Sequence, residues 1–238
     1  MKCLIVAAGQ GSRLREKTDL KPLIPLRGVP LIERVISGAR HAGIDEFLVV
    51  SGYRGDELRK HLDSLGKQDG IRIEHVINDE WNRANGVSLL KAKPYLSEPF
   101  VLSMCDHLVD PDILRGLISA AVEPDRVTLA VDFDIANPLN DPLDVTRVKC
   151  NAGRIETIGK LLPDFDAFDT GIFLCNPIIF AGLEESQSAG DDSISGAMNV
   201  LARWQKAFVF DIQGKVWIDV DDPADVEKAE KLLDSGKL

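Results

Sequence analysis

Short apolar runs alternate along this chain with longer stretches whose apolar positions recur every three or four residues. Lys2 to Ala7 reads as a strand, Val29 to Ala42 as an amphipathic helix ended by Gly43, Phe47 to Val50 as a strand, and Gly55 to Leu65 as a helix ended by Gly66. Ile71 to Ile77 then reads as a strand, Gly86 to Lys91 as a short helix stopped before Pro94, Phe100 to Cys105 as a strand, and Pro111 to Ala121 as a helix with proline at its start. Helices of this length between strands require parallel crossovers, so the pattern predicts a layered α/β sheet. The second half is less regular. Val127 to Phe133, Val145 to Cys150, Arg154 to Ile158 and Gly171 to Cys175 read as strands, with Asn151-Ala152-Gly153 as a hairpin turn. Helices at Ile194 to Trp204 and Pro223 to Leu233 flank a strand at Ala207 to Ile212, and no repeat, low-complexity tract or linker interrupts the chain.

The first strand runs straight into Ala8-Gly9-Gln10-Gly11-Ser12-Arg13-Leu14, and Lys21-Pro22-Leu23 follows shortly after. Small residues and two glycines let backbone N–H groups close on a phosphate chain, and Arg13 and Lys21 supply cations for charge on phosphorus oxygens. A dinucleotide fingerprint would need a third glycine where Leu14 stands and an acidic residue where the second strand ends in Ser51-Gly52. A Walker A loop would need Gly-Lys-Ser/Thr, which does not follow Gly11. An ordinary glycine turn explains Gly9 and Gly11 but leaves the two cations without a reason.

Composition narrows the partners. A chain of 238 residues buries a full core, and its net charge of −10 with a pI of about 4.9 argues against nucleic acid. No apolar stretch approaches the roughly 20 residues that span a bilayer, and the run Cys3 to Ala8 is too short for a signal peptide, so the expected location is cytoplasmic. Cys3, Cys105, Cys150 and Cys175 show no Cys-x-x-Cys spacing and read as buried free thiols. Among the histidines only His107 stands out, because it follows Asp106.

Asp106 lies at the end of an apolar strand, on the carboxyl edge that faces ligands in open α/β sheets. In Trp217-Ile218-Asp219-Val220-Asp221-Asp222-Pro223 the period of two puts Asp219 and Asp221 on one face, while Asp222-Pro223 reads as a helix cap and start. Asp106 alone reads equally as a solvated strand-end carboxylate. Taken with Asp219 and a phosphate loop, it reads as one of a pair holding Mg²⁺ against phosphates.

Gly9-x-Gly11-x-Arg13, a lysine before proline, an Asp at a strand end and Trp217-x-Asp219-Val220-Asp221 occur in this order over nearly the whole chain, and this resembles the sugar-phosphate nucleotidyltransferase superfamily. Leu20-Lys21-Pro22 departs from that family's Pro-Lys order. The resemblance implies a three-layer Rossmann-like nucleotidyltransferase fold with a mixed, mostly parallel central sheet. It would form one domain over 1–238, with a nucleotide half to about 125 and an acceptor half beyond. It implies transfer of a nucleoside monophosphate from a triphosphate to a phosphorylated acceptor, with Ala7, Ala8, Gly9, Gly11 and Ser12 at the nucleotide, Arg13 and Lys21 catalytic, and Asp106 and Asp219 on Mg²⁺.

Asn78 to Leu89 is similar to the Asn-rich segment before a Ser-Leu helix in the cytidylyl branch, which adds Asn82, Asn85, Gly86 and Ser88 at the nucleotide. The same segment also reads as an Asn-rich turn with Ser88 in a first helical turn. Asp141 to Lys149 and Ile158-Gly159-Lys160 resemble archaeal inositol-1-phosphate cytidylyltransferases, which implies CTP and a phosphorylated polyol, inositol 1-phosphate, as substrates. Lys149 and Lys160 are then candidates for the acceptor phosphate and Asp134 and Asp144 for polyol hydroxyls, although each lysine singly also reads as a solvated surface residue. Members of that branch form the soluble part of a bifunctional enzyme, so the chain would be the cytidylyltransferase part without a membrane phosphotransferase domain. Phosphocholine or another sugar phosphate as acceptor, and a non-catalytic nucleotide sensor, are the alternatives. A sensor should have lost one of Arg13, Lys21, Asp106 or Asp219, and all are present. A glycosyltransferase would want Asp-x-Asp where Cys105-Asp106-His107 stands, although Asp219-Val220-Asp221 has that spacing elsewhere.

Overall fold

The computed structural model describes residues 1–14, 20–120 and 125–238, with Ser12, Gln68 and Asp69 described by backbone alone. In chain order the elements of the first half are β1 (Lys2–Ala7), β2 (Pro25–Leu26), β3 (Val29–Pro30), α1 (Leu31–His41), β4 (Glu46–Ser51), α2 (Gly55–Asp69), β5 (Arg72–Ile77), α3 (Asn85–Ala92), β6 (Phe100–Met104), β7 (His107–Val109) and α4 (Pro111–Ser119). The second half adds β8 (Val127–Asp132), β9 (Arg147–Asn151), β10 (Arg154–Gly159), β11 (Ala167–Cys175), α5 (Ile178–Ser188), α6 (Ile194–Arg203), β12 (Ala207–Asp211), β13 (Trp217–Asp219) and α7 (Pro223–Asp234).

One nine-stranded sheet passes through both halves in the order β5-β4-β1-β6-β11-β8-β12-β10-β9. Its first four strands are parallel, with β1 matched residue for residue to β4 on one side and β6 on the other. β11 enters antiparallel between β6 and β8, and β8 and β12 run parallel. The mixed sheet that the resemblance implied is present, with its parallel pairs concentrated around β1. The far strand β9 pairs with β10 and also with the start of β11, so the strands of the second half close on themselves.

Alternation along the central strands builds the layers. Cys3, Ile5 and Ala7 of β1 and Phe47 and Val49 of β4 point into a core shared with α1, α2, α4 and α7. Leu4, Val6, Leu48 and Val50 point into the opposite core with α3, α5 and α6. Each fully buried aliphatic or aromatic side chain contributes about 1.5–3 kcal/mol, so these two apolar layers hold the helices more than propensity does.

Several boundaries differ from the sequence expectation for local reasons. The first helix starts at Leu31 because Val29–Pro30 pairs with Pro25–Leu26 as a small hairpin. α2 runs through Gly66 and stops only at Gly70, whose left-handed φ of +67° closes the last turn onto the Gly66 carbonyl. α4 ends at Ser119, and Ala121 lies outside the described residues. The hairpin turn has Ala152 and Gly153 both left-handed, at φ of 48° and 77°, as a tight turn between β9 and β10 requires. α5 was not expected from the sequence: its apolar positions form one block, Ile178 to Leu183, rather than a spaced stripe. The four thiols are free, three of them buried and Cys150 half-buried.

Candidate active site

The parallel strands end together at one edge, and β1 delivers the loop that begins the site. The Ala8 carbonyl accepts from Tyr53 N at 3.0 Å, which ties the loop to the end of β4. Gly11 has a φ of +62°, and a Cβ there would lie 2.4 Å from the Lys21 Cβ. Glycine therefore serves twice, allowing the turn and letting the Lys21 stem pass beneath the loop. The next residues form a single turn, Ser12–Leu14, that half-exposes Arg13 and buries Leu14 completely. Leu14, at the place of a dinucleotide fingerprint's third glycine, is thus a core anchor. Lys21 sits in a second short turn, Lys21–Leu23, with its side chain only 6% exposed.

Facing this loop is a hairpin made at a distance. β6 ends at Met104, the chain turns through Cys105 and Asp106, and β7 pairs antiparallel with β13 so that His107 lies opposite Asp219. Val220 N donates to the Asp106 carbonyl at 3.0 Å, which fixes the two acidic segments together. Lys21 Nζ then donates to Asp106 Oδ2 at 2.6 Å and to Asp221 Oδ1. Arg13 donates to Asp221 Oδ2 at 2.5 Å and to Asp144, and Lys160 Nζ donates to Asp144 Oδ1 at 2.9 Å. The result is an alternating line of charge, Asp106, Lys21, Asp221, Arg13, Asp144, Lys160, running from the sheet edge into the second half.

The electrostatics are asymmetric. Burial pushes the Lys21 ammonium down, but the Asp106, Asp221 and Asp219 carboxylates outweigh it and hold the group charged well above its ordinary range. Burial pushes the Asp106 carboxyl up, and the charges of Lys21 and His107 with the Lys21 hydrogen bond bring it below its usual value. Asp219 is pushed up to about 7, first by burial and then by Asp106 and Asp221, with His107 only partly compensating. A carboxyl held so high marks a place short of positive charge. Among the described residues Asp106 Oδ1 and Asp219 Oδ1 are buried without a hydrogen-bond partner, and ligand atoms of Asp106, His107 and Asp219 lie within 4.8 Å of one another. Two carboxylates and an imidazole gathered in this way, each carboxylate with one oxygen unpartnered among the described residues, fit a divalent cation.

Two cavities meet here. One, of about 250 Å³, is lined by Gly9, Gly11, Lys21, Trp81, Arg83 and Ser88, among others. The second, of about 190 Å³, is lined by Asp144, Thr146, Lys160, Asp169, Ser195 and Asp219, among others. They share Asn85, Met104, Asp106 and Asp221 as a common wall. A larger cavity of about 570 Å³ lies between α1, α4 and the last residues of the chain, and neither the glycine loop, Lys21 nor the aspartates line it.

The sequence candidates divide accordingly. Gly9, Gly11, Arg13, Lys21, Asp106, Asp144, Lys160 and Asp219 converge on this line of charge and its cavities, while Ala7 and Ala8 are buried beneath the loop. Ser12 contributes its backbone, the side chain lying outside what is described. Asn85 lines both cavities while its Oδ1 accepts from Ile194 N at 3.0 Å, and Ser88 accepts from Asn78 Nδ2 at 2.9 Å. A Cβ on Gly86 would lie 2.3 Å from the Asp192 carbonyl, so that glycine serves close packing of α3.

Besides Gly86, which lines neither cavity, three candidates are not brought to the site. Asn82 is exposed and lines neither cavity. Asp134 closes its own turn after β8 by accepting from Ala136 N at 3.1 Å. Lys149 pairs with Asp164 at 3.0 Å and Asp166 at 3.4 Å, because alternation along β9 turns Val148 inward and Lys149 away. Asp221 and His107 gained roles that the sequence did not assign. Asp219 and Asp221 do line one cavity, as their spacing predicts, but Asp221 takes the cations and Asp219 faces His107. Asp222 caps α7, accepting from Ala224 N and Asp225 N, with Pro223 in the first turn.

A glycine loop with a buried lysine and a half-exposed arginine, set against strand-end aspartates on a layered α/β sheet, is the arrangement of a nucleotidyltransferase domain. The chain belongs to the MobA-like NTP transferase domain family, which matches residues 3–158. It is 36% identical over 232 residues to the bifunctional IPC transferase and DIPP synthase of Rubrobacter xylanophilus, covering 96% of this chain and 51% of that protein. The protein of the same name from Archaeoglobus fulgidus is 30% identical over 239 residues, covering 100% of this chain and 45% of that one. The chain thus spans about half the length of these relatives. Among solved structures, the inositol-1-phosphate CTP transferase from T. maritima superposes with a TM-score of 0.86 at 29% identity, covering 98% of this chain and 94% of that one. A UDP-glucose pyrophosphorylase complexed with UDP-glucose shares the fold, with a TM-score of 0.81 at 19% identity and coverage of 99% and 98%.

Proposed function

We propose that this chain transfers CMP from CTP to inositol 1-phosphate, giving CDP-inositol and pyrophosphate. The observation that carries this reading is the line of cations, Lys21, Arg13 and Lys160, crossing from the glycine-loop cavity into a second, adjoining one. Two phosphorylated substrates that must meet at one phosphorus need such a continuous path. The names of the relatives supply the base and the acceptor.

In the proposed reaction an oxygen of the acceptor phosphate attacks the α-phosphorus of CTP. The bond from that phosphorus to the bridging oxygen of the β-phosphate breaks, and pyrophosphate leaves with the electron pair. No base is needed, because a phosphate monoester is largely dianionic near neutral pH. Catalysis then rests on positioning and on neutralising charge. The loop from Gly9 to Ser12 presents backbone N–H groups to the triphosphate. Lys21, held between Asp106 and Asp221, is oriented before substrate arrives and stabilises the α-phosphate as charge builds. Arg13 receives the leaving pyrophosphate, exchanging its carboxylate partners for phosphate oxygens. Lys160 holds the acceptor phosphate, and Asp144 beside it accepts from polyol hydroxyls. Asp106 and Asp219 would hold Mg²⁺, which supplies further neutralisation of phosphate oxygens when bound.

Among the described residues no helix is long and apolar enough to cross a membrane. The proposed reaction is cytoplasmic, and a partner of the DIPP-synthase class would consume its product, since the relatives' names join the two activities. The test crosses four nucleoside triphosphates with inositol, choline and sugar phosphates in a pyrophosphate-release assay. CTP with inositol 1-phosphate should stand out. Preference for another pair would overturn the substrate assignment, and no release from any pair would favour a nucleotide-sensing module.

A further inference from the structure

We propose that His107 is a third protein ligand of the Asp106–Asp219 cation site, binding through Nε2, and that its ring nitrogen makes the site prefer Mn²⁺ to Mg²⁺. The inference rests on the cation site of the proposed function but not on the identity of either substrate.

The tautomer is set by the backbone. His107 Nδ1 lies 2.8 Å from the Thr170 carbonyl oxygen, which can only accept, so Nδ1 keeps its hydrogen and Nε2 is the nitrogen that presents a lone pair to a cation, its proton passing to solvent as the ion binds. A ring N–H given to a backbone carbonyl is the usual outer support of a metal-binding imidazole. Nε2 faces Asp106 Oδ1 at 3.7 Å and Asp219 Oδ2 at 3.6 Å. Both separations exceed the hydrogen-bonding range of about 2.7–3.2 Å. They lie close to the spacing of neighbouring ligands that each stand about 2.0–2.2 Å from a shared ion, which is about 3–3.6 Å. Asp106 Oδ1 and Asp219 Oδ1, buried and without a hydrogen-bond partner among the described residues, belong to the same two carboxylates.

The ring is also held from several directions. β11 carries a register shift between Asp169 and Phe173, and within it Gly171 adopts a φ of +72°. A Cβ on Gly171 would lie 2.5 Å from His107 Nδ1, so the glycine brings the Thr170 carbonyl against the imidazole while leaving room for the ring. The Trp217 indole stacks on the imidazole with centroids 6.1 Å apart and planes at 16°, and the β7–β13 register sets His107 opposite Asp219. A side chain serving only as a counter-charge needs no fixed tautomer or fixed plane. One nitrogen and two carboxylate oxygens form a donor set that favours later divalent metals over Mg²⁺, which takes oxygen and water ligands.

The test uses Mn²⁺ alone and the whole chain, without nucleotide. Pulsed electron paramagnetic resonance of bound Mn²⁺ should show one directly coordinated imidazole ¹⁴N. In His107→Gln that signal should vanish and Mn²⁺ affinity should fall by about tenfold or more, with Mg²⁺ then competing more nearly on equal terms. Asp106→Asn should lose the site altogether. Mn²⁺ bound without ¹⁴N coupling, unchanged affinity in folded His107→Gln, or no binding to the free chain would each overturn the proposal. The wild-type spectrum decides the question even if the variant does not fold. A chain that makes CDP-inositol but shows no ¹⁴N coupling would lose this inference and keep the proposed function.

Discussion

Replacing Lys21 by methionine separates the two demands placed on this side chain. Methionine keeps an unbranched stem to fill the space beneath Gly11, which packs on the Lys21 Cβ, Cγ and Cδ, and removes only the ammonium. In the wild type that ammonium lies between Asp106 and Asp221, with the lysine side chain 6% exposed and each carboxylate 20% exposed. Removing one partner of a buried ion pair costs about 3–5 kcal/mol, because the remaining charge stays unpaired. The two carboxylates are partly hydrated and Asp221 retains Arg13, so the lower end, about 3 kcal/mol, is expected. A domain with the usual stability of about 5–15 kcal/mol remains folded after such a loss. Urea denaturation should show a lower midpoint at unchanged slope, and a divalent cation should recover part of the loss by neutralising Asp106. Turnover is a separate matter. Losing a preorganised group that meets developing charge costs about 10²–10³-fold in kcat, which a pyrophosphate-release assay resolves. Folded Lys21→Met turning over within tenfold of wild type would refute the role given to this lysine.

Further outcomes follow from other contacts. Gly86→Ala lies in a helix, where alanine normally adds about 1 kcal/mol, yet its Cβ would meet the Asp192 carbonyl at 2.3 Å, so a net loss of about 1–3 kcal/mol is expected; an unchanged or higher urea midpoint would contradict it. Asp144 is held down to about 2 because, against the upward push of partial burial, it accepts from Lys160 and Arg13. Its folded value lies below the unfolded one, so its contribution to stability is present above pH about 4 and is lost as pH falls through about 2. A side-chain carboxyl NMR titration of Asp144 checks this, and a midpoint at the ordinary aspartate value would refute the bridge. Burial pushes the thiols of Cys3 and Cys150 up to about 12 and also raises those of Cys105 and Cys175, so thiol reagents should modify the native chain slowly and the denatured chain at all four cysteines. Rapid labelling of the native chain would contradict the burial.

How far the molecule was legible in its sequence depended on the range of the interaction. β1 was predicted to the residue, since five buried apolar positions followed by Gly9 and Gly11 form a purely local signal. Lys21, Arg13, Asp106 and Asp219 were legible as chemistry out of place in an otherwise apolar or small-residue setting. The pairing of β7 with β13, which sets His107 opposite Asp219, joins segments about a hundred residues apart and leaves no periodic trace. The same holds for Asp221, whose cations come from the other end of the chain. Asp134 and Lys149 suited an acceptor site by residue type, but the turn after β8 and the pleat of β9 direct them elsewhere. Asp144 and Lys160, in equally irregular sequence, do meet across a fold-back that only the tertiary structure reveals.

In the proposed reaction an acceptor phosphate oxygen becomes bonded to the α-phosphorus of CTP in this cleft. ³¹P NMR of the chain incubated with Mg²⁺, CTP and inositol 1-phosphate follows that bond as it forms. The coupled pair of resonances of a pyrophosphate diester should grow in step with free pyrophosphate, and neither product should appear with Lys21→Met on the same timescale. Unchanged CTP, or CMP accumulating while inositol 1-phosphate stays intact, would contradict the proposed reaction.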